Sequence, residues 1–400
     1  MKHFIGIFLV VLLLAGCVSR ELSTEPDYDS IISYIMKNQK KESAELYTAC
    51  EQVLPEIIQK GEIEDYQKVV KIYNKNTDIF SKAMTLGFLA SEQTDNPILK
   101  DSIFAAVKRA NIMTGTDEFL VSAKEYYQER NFTEEELNDR LTAYRAMVSD
   151  GYAQLLIERQ QLTEALNVYE DIINDYKDTE ILLNYGKALN KMNRYEASLI
   201  ACIEALKMTP GSLDAKAEIM NTAELLGYSK AEVNTMIDET VFVGRNILRQ
   251  NLLADQLNIP MPEFEIEGLD STSITHEKFE NKILIVSFFA TWCPPCLKEL
   301  PHMNEVYHQY KEDEEVEIIV VSTDRDKFLV PPFINENGYD FPVYYADGLN
   351  KAFGVKGIPT LFVIDKLGMT RYKKVGFSEG EEFGKIMSWY IDEIKAAKDA

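Results

Sequence analysis

Apolar residues recur three or four positions apart from about Tyr28 to Leu257, in a stretch rich in Ala, Leu, Glu and Lys without a convincing strand. That period is the period of an amphipathic helix, so residues 28–257 read as an all-helical region. Thr94-Asp95-Asn96-Pro97 and Asn131-Phe132-Thr133 break the pattern as turns, and Thr133 followed by Glu135 and Glu136 reads as a helix start. After Asn258 the pattern changes. Pro260, Pro262, Phe264, Ile266, Gly268 and Asp270 alternate apolar and turn residues, which predicts short strands and places a domain boundary near 258–262. Ile283 to Phe289 is an almost unbroken apolar run, the pattern of a strand covered on both faces. Helical spacing follows from Pro294 to about Tyr310. A second buried strand is predicted at Val316 to Ser322, a helix from Asp326 to Asn337 and an edge strand from Pro342 to Tyr344. A central strand is predicted at Thr360 to Asp365, a closing strand at Met369 to Val375 and a last helix from Glu379 to about Ala396. Such alternation predicts a mixed sheet covered by helices over 258–400, giving a two-domain chain, all-α followed by α/β.

Inside the helical region two segments read as neighbouring repeats. Leu182, Tyr185, Gly186, Leu189, Ser198, Cys202, Ala205 and Pro210 fall close to the spacing of a tetratricopeptide repeat, and Tyr152, Ala153, Leu156, Ala165, Tyr169 and Ile172 occupy matching places before them. Small residues let two helices approach, and Tyr and Leu fill the space between them. Upstream of about residue 140 the pattern weakens into helical hairpins related to the repeats or packed against them, and an irregular helical bundle is the alternative for the whole region.

The N-terminal residues add an address. Lys2, an apolar run from Phe4 to Leu14 and small residues before Cys17 have the order of an export signal, and the run is well short of the ~20 residues that span a bilayer. Leu14-Ala15-Gly16-Cys17 resembles the lipobox of bacterial lipoproteins. The resemblance implies a signal peptide over 1–16, an acylated Cys17 that anchors the protein to a membrane, and a polar spacer over 17–27. Val18 lacks the aspartate associated with inner-membrane retention, which favours the outer membrane. The net charge of −23, from 65 acidic against 42 basic residues, repels phosphate backbones and excludes a nucleic-acid partner. Cys50 and Cys202 stand alone on helical patterns and read as buried thiols, with a mutual disulfide as the alternative.

Cys293 and Cys296 are different, because they open a predicted helix. A cysteine in the first turn meets unpaired N–H groups and the positive end of the helix dipole, which favour the thiolate, so Cys293 is the predicted nucleophile. Cys296, three residues on and on the same face, can attack a mixed disulfide on Cys293 and is the predicted resolving thiol. Pro294 and Pro295 stiffen the loop and tune its redox potential. A zinc site lacks a second ligand pair, so no metal is predicted. A purely structural disulfide is the other reading of the pair.

The segment Ala290-Thr291-Trp292-Cys293-Pro294-Pro295-Cys296 resembles the active site of thioredoxin-fold proteins of the TlpA/ResA type. Pro262-Glu263-Phe264, Phe353-Gly354-Val355-Lys356-Gly357-Ile358-Pro359-Thr360 and Ile364-Asp365-Lys366-Leu367-Gly368 match further landmarks in the same order, over about residues 260–398. The resemblance implies a thioredoxin-like C-terminal domain with a redox-active Cys293–Cys296 disulfide and no other cofactor. It implies that Pro359 is a cis-proline beside the dithiol, and that the backbone of Ile358 pairs with an extended substrate segment. It makes Glu299 the acid that passes protons to and from the buried thiol, and it puts Ser287 where thioredoxins proper carry an aspartate. Trp292 either covers one side of the dithiol or simply packs. Peroxiredoxins share the fold, but their single reactive cysteine after Thr or Pro, with an Arg partner, is absent here.

The resulting expectation is a membrane-tethered, periplasm-facing thiol-disulfide oxidoreductase of the bacterial envelope. It would reduce or rearrange disulfides of exported proteins and draw on a membrane or envelope electron donor, with the helical repeats recruiting a peptide partner. The competing expectation is an adaptor lipoprotein whose repeats are the working surface and whose dithiol is secondary.

Overall fold

The structure is a computed structural model that describes residues 27–128 and 132–397. The expected signal peptide, Cys17 and the spacer up to residue 26 lie outside the described residues, as does Asn131. Among the described residues no helix is long and apolar enough to cross a membrane.

The chain divides into two compact units, residues up to Cys202 and residues from Ile203 onward. The first unit is helical: α1 (Tyr28–Asn38), α2 (Ala44–Lys60), α3 (Ile63–Tyr73), α4 (Ile79–Phe88), α5 (Pro97–Thr114), α6 (Asp117–Tyr127), α7 (Glu134–Glu158), α8 (Leu162–Asp175), α9 (Thr179–Lys191) and the start of α10 (Tyr195–Met208). The predicted helix start at Thr133 is a complete capping box, the Thr133 side chain accepting from the Glu136 N–H while the Glu136 carboxylate accepts from the Thr133 N–H. A buried polar knot ties three helices together. Asp150 on α7 accepts from Tyr169 on α8 at 2.8 Å, from Gln154 at 2.7 Å and from Asn184 on α9 at 3.2 Å, and burial pushes its carboxyl up to about 7. Cys50 and Cys202 are both buried and reduced, not joined to each other, and burial pushes the Cys50 thiol up to about 12.

The repeat-like residues lie on α7 to α10, except Pro210 in the turn after α10, and Gly186 shows why a small residue stands there. The Ser198 hydroxyl donates to Gly186 O at 2.8 Å, and a Cβ on Gly186 would sit 2.7 Å from Cys202 Sγ.

The second unit begins inside α10 and continues through α11 (Leu213–Leu225) and α12 (Lys230–Ala254) before the first strand. The change from helical to strand pattern near 258–262 is present, with β1 at Ile259–Pro260, but it does not coincide with the limit of the compact unit. The reason is packing. Leu248, Leu252 and Leu253 of α12 rest against the core of the sheet, and Arg245 makes a two-point ion pair with Glu382. A change of periodicity reports secondary structure, whereas the limit of a unit is set by which apolar faces meet.

The remaining elements are β2 (Glu265–Glu267), β3 (Ser273–Thr275), β4 (Ile283–Phe289), α13 (Pro294–Tyr310), β5 (Val316–Ser322), α14 (Val330–Asn337), β6 (Val343–Tyr345), α15 (Leu349–Ala352), β7 (Thr360–Ile364), β8 (Met369–Val375) and α16 (Phe383–Ala396). The main sheet has the order β1-β8-β7-β4-β5-β6, with β4, β5 and β6 parallel and β7, β8 and β1 antiparallel. Two predicted helices start later than expected. Asp326 caps a short 3-10 turn over Lys327–Leu329 before α14, and Glu379 precedes a turn before α16, where Gly380 takes a positive φ. All seven residues of β4 are buried. Ile283, Ile285 and Phe289 meet α13 and α16, while Leu284, Val286 and Phe288 meet the opposite face with Phe264, Leu349 and Phe362.

Replacing Gly186 with Ala gains about 1 kcal/mol of helix propensity but overpacks the contact with Cys202, at a cost of roughly 1–3 kcal/mol. Gly186→Ala is expected to lower the far-UV dichroism melting midpoint, and adding Cys202→Ala to recover part of the loss. An unchanged midpoint in the single variant would mean the helices do not meet there.

Candidate active site

Strand β4 delivers the chain to Ala290 at the centre of the sheet, and α13 starts four residues later. The turn between them is held from below. Thr291 donates through its N–H at 3.0 Å and its hydroxyl at 2.7 Å to the Asp324 carboxylate, which also accepts from the Ser322 hydroxyl at 2.8 Å. Asp324 escaped the sequence reading because only the parallel pairing of β4 with β5 brings it to Thr291.

Cys293 is the N-cap of α13 and is joined to Cys296 by a disulfide. The Cys296 N–H points at Cys293 Sγ across 3.3 Å, so the first sulfur occupies the place where a capping side chain satisfies an orphan helix donor. Pro294 and Pro295 fill the first helical positions, where a missing N–H costs nothing. Cys293 is 2% exposed and Cys296 fully buried, while Trp292 beside them is 38% exposed. Trp292 is therefore not part of a closed core.

From the other side of the sheet centre comes the turn before β7. The Ile358–Pro359 peptide is cis, and Ile358 O lies 3.7 Å from Cys293 Sγ. Pro359 O accepts from the Gly376 N–H at 2.8 Å, and Thr360 Oγ1 donates to Gly357 O at 2.7 Å, so the turn is held at both ends.

Glu299 lies one turn beyond Cys296 on the same helix and is 2% exposed. The Ser287 hydroxyl donates to its Oε1 at 3.1 Å. Ser287 shares a face of β4 with Ile285 and Phe289, the face that α13 covers, which is why the serine and the glutamate meet. Burial pushes the Glu299 carboxyl up to about 7; Lys374 and the Ser287 hydroxyl pull the other way, and Glu381 adds to the rise. Lys374 and Glu381 themselves form a nearly buried ion pair at 2.8 Å. The sequence reading missed both, although one signal was present: Lys374 keeps the alternation of Thr370 and Tyr372, the buried positions of β8. Cys293, Cys296, Ile358, Pro359 and Glu299 thus converge, whereas Cys17 lies outside the described residues. No group of three or more His, Cys, Asp or Glu among the described residues is arranged to hold a metal ion.

Comparison with known proteins agrees with this geometry. The Redoxin family model matches residues 256–386. The thiol-disulfide oxidoreductase ResA of Bacillus thuringiensis (strain Al Hakam) is 36% identical over 153 residues, which span 37% of this chain and 86% of the relative. The chain belongs to the ResA family of thiol-disulfide oxidoreductases. ResA of Geobacillus kaustophilus is 35% identical over 34% of this chain and 75% of its own length. Among solved structures, StoA from Bacillus subtilis shares 26% identity over 32% of this chain and 97% of its own, with a TM-score of 0.29. The Redoxin match lies in the C-terminal unit, where the dithiol, the cis-proline turn and the buried glutamate are found.

The raised Glu299 carboxyl makes stability depend on pH. Its folded value of about 7 exceeds the usual 4.5, so the folded state holds a proton that the unfolded chain has lost. That contribution is complete below about pH 4.5 and disappears as pH rises towards 7, a loss of about 3 kcal/mol at most. Both tryptophans, Trp292 and Trp389, lie in the second unit, so their fluorescence follows its unfolding. Glu299→Gln is expected to match the parent near pH 4 and to exceed it in urea midpoint at pH 8; equal midpoints at both values would refute the assignment.

Proposed function

We propose that this chain is a membrane-tethered oxidoreductase of the cell envelope that reduces or rearranges disulfides of exported proteins through Cys293 and Cys296. The observation that carries the reading is a dithiol seated on a helix N-cap, beside a cis-proline carbonyl and one turn from a buried carboxyl pushed up to about 7.

In the reduced protein the Cys293 thiolate, favoured by the helix terminus, attacks one sulfur of a partner disulfide. A Cys293–partner bond forms, the partner's bond breaks and its other sulfur leaves as a thiolate. Glu299 then takes the proton of Cys296, whose sulfur attacks Cys293 and releases the second partner thiolate. Two electrons pass to the partner, and the protein is left with the Cys293–Cys296 disulfide, to be reduced again by an envelope electron donor. Ile358 and Pro359 present backbone to an extended segment of the partner, and Trp292, Pro294 and Pro295 border that contact. No cofactor besides the disulfide takes part. Cys17, acylated, would hold the catalytic unit near a membrane surface, with the outer membrane favoured. The helical unit would recruit a peptide partner.

Cys293→Ser is expected to abolish insulin reduction. Cys296→Ser is expected to strand partners on Cys293 as mixed disulfides, visible as dithiothreitol-sensitive adducts on non-reducing gels. A Cys296→Ser protein that accumulates no adducts in an envelope fraction would overturn the reading, and a Cys293→Ser protein that keeps its cellular role would favour an adaptor.

A further inference from the structure

The carboxylates around the start of α16 are matched to cations, with one exception. Glu382 is held by Arg245 and by Lys385 at 3.1 Å, and Glu379 by Lys298 at 2.7 Å. Glu381 is held by Lys374 at 2.8 Å, with side chains only 14% and 11% exposed. Glu299 has no cation within ion-pair distance among the described residues, and Lys374 is the one whose charge acts on it. One ammonium, paired with Glu381, therefore stands near two buried carboxyls.

Across the sheet Ser287 of β4 is in register with Leu361 of β7 and Leu361 with Lys374 of β8, so Lys374 stands on the same face as the serine that holds Glu299. Ser287 approaches from β4, Lys374 from β8 and Glu381 from the turn before α16, while His302 on the next turn of α13 acts on Glu381. His302 stacks on Phe377 at 5.4 Å, and Lys374 lies 5.8 Å from the Phe377 ring and 5.7 Å from that of Phe383, so aromatic surface screens the pair from water. Where water is excluded, two carboxylates on one cation cannot both ionise cheaply, and one proton stays in the cluster near neutral pH.

We propose that Lys374 and Glu381 are positioning residues for the dithiol chemistry, Lys374 dividing its charge between Glu381 and Glu299 and so setting the pH at which Glu299 gives up its proton. The inference rests on the role given above to Glu299. In the resolving step the Cys296 S–H proton moves to the Glu299 carboxylate, the Cys296–Cys293 bond forms and the Cys293–partner bond breaks. Lys374 keeps that carboxylate available to receive the proton, and Glu381 limits how far it does so. A lysine that merely neutralised Glu381 would leave Glu299 indifferent to either residue.

The test is the carboxyl 13C titration of Glu299 in the full chain, its resonance identified by its loss in Glu299→Gln, alongside the pH profile of insulin reduction. Lys374→Met removes a positive charge and is expected to move the Glu299 midpoint up; Glu381→Gln removes a negative charge and is expected to move it down, each by roughly a pH unit. Lys374→Arg is expected to restore the parent midpoint. Opposite shifts cannot come from general loosening, which would draw both midpoints towards that of an exposed carboxyl. If Lys374→Met does not fold, Lys374→Gln is measured in its place, and the upward shift is again the result that general loosening cannot give. Midpoints that stay put, or move together, overturn the inference. Midpoints that move as stated while the rate profile stays unchanged leave the charge sharing intact and remove Glu299 from the resolving step.

Discussion

Strand β4 carries seven consecutive buried residues to the middle of the sheet, and at Ala290 the chain must leave it and turn into α13 with its first helix donors unsatisfied. Cys293 resolves that problem by placing its sulfur where a capping oxygen would otherwise stand, with the Cys296 N–H aimed at it. The same placement favours negative charge at the sulfur's position, so one local demand for hydrogen-bond satisfaction both ends the turn and sets the polarity around it. Asp324 from the neighbouring strand and the cis Ile358–Pro359 turn from the opposite side then fix where that sulfur lies.

Burying the dithiol creates a second demand. Cys296 is closed off from water, and one turn farther along α13 the Glu299 carboxyl is itself buried. A carboxylate in that place is costly, and burial pushes the Glu299 carboxyl up to about 7. Ser287 supplies a hydrogen bond in place of an ionised neighbour, and the nearby cation is already engaged by Glu381. The acid-base character of the site is thus a property of the layer beneath the disulfide.

The helical unit is built by different means. Its hairpins are held by apolar faces, by a close approach at Gly186 and by buried polar knots such as the one centred on Asp150. Among the described residues of that unit there is no disulfide. Farther along the chain, α11 and α12 belong with the catalytic unit, and Arg245 pins α12 to Glu382 at the start of α16. The C-terminal unit is therefore larger than its strands suggest, and the family resemblance covers only part of it.

How much was legible in advance follows from the range of each signal. The helical and α/β halves, the strands at Ile283, Val316, Thr360 and Met369, the capping box at Thr133 and the cysteine pair on a helix start all depend on residues within a turn or two of one another. Periodicity and spacing determine such features, and the order of motifs from Pro262 through the dithiol to Gly368 carried the family resemblance. Asp324 under the dithiol loop, the Ser287–Glu299 hydrogen bond and the placing of Lys374 on the face of Ser287 join residues that no local period brings together. Those were decided only when the sheet set its strand order and brought β4, β5 and β8 against α13. The limit of the catalytic unit at Ile203 was decided in the same way, because an amphipathic helix shows that it has an apolar face but not which surface that face will meet.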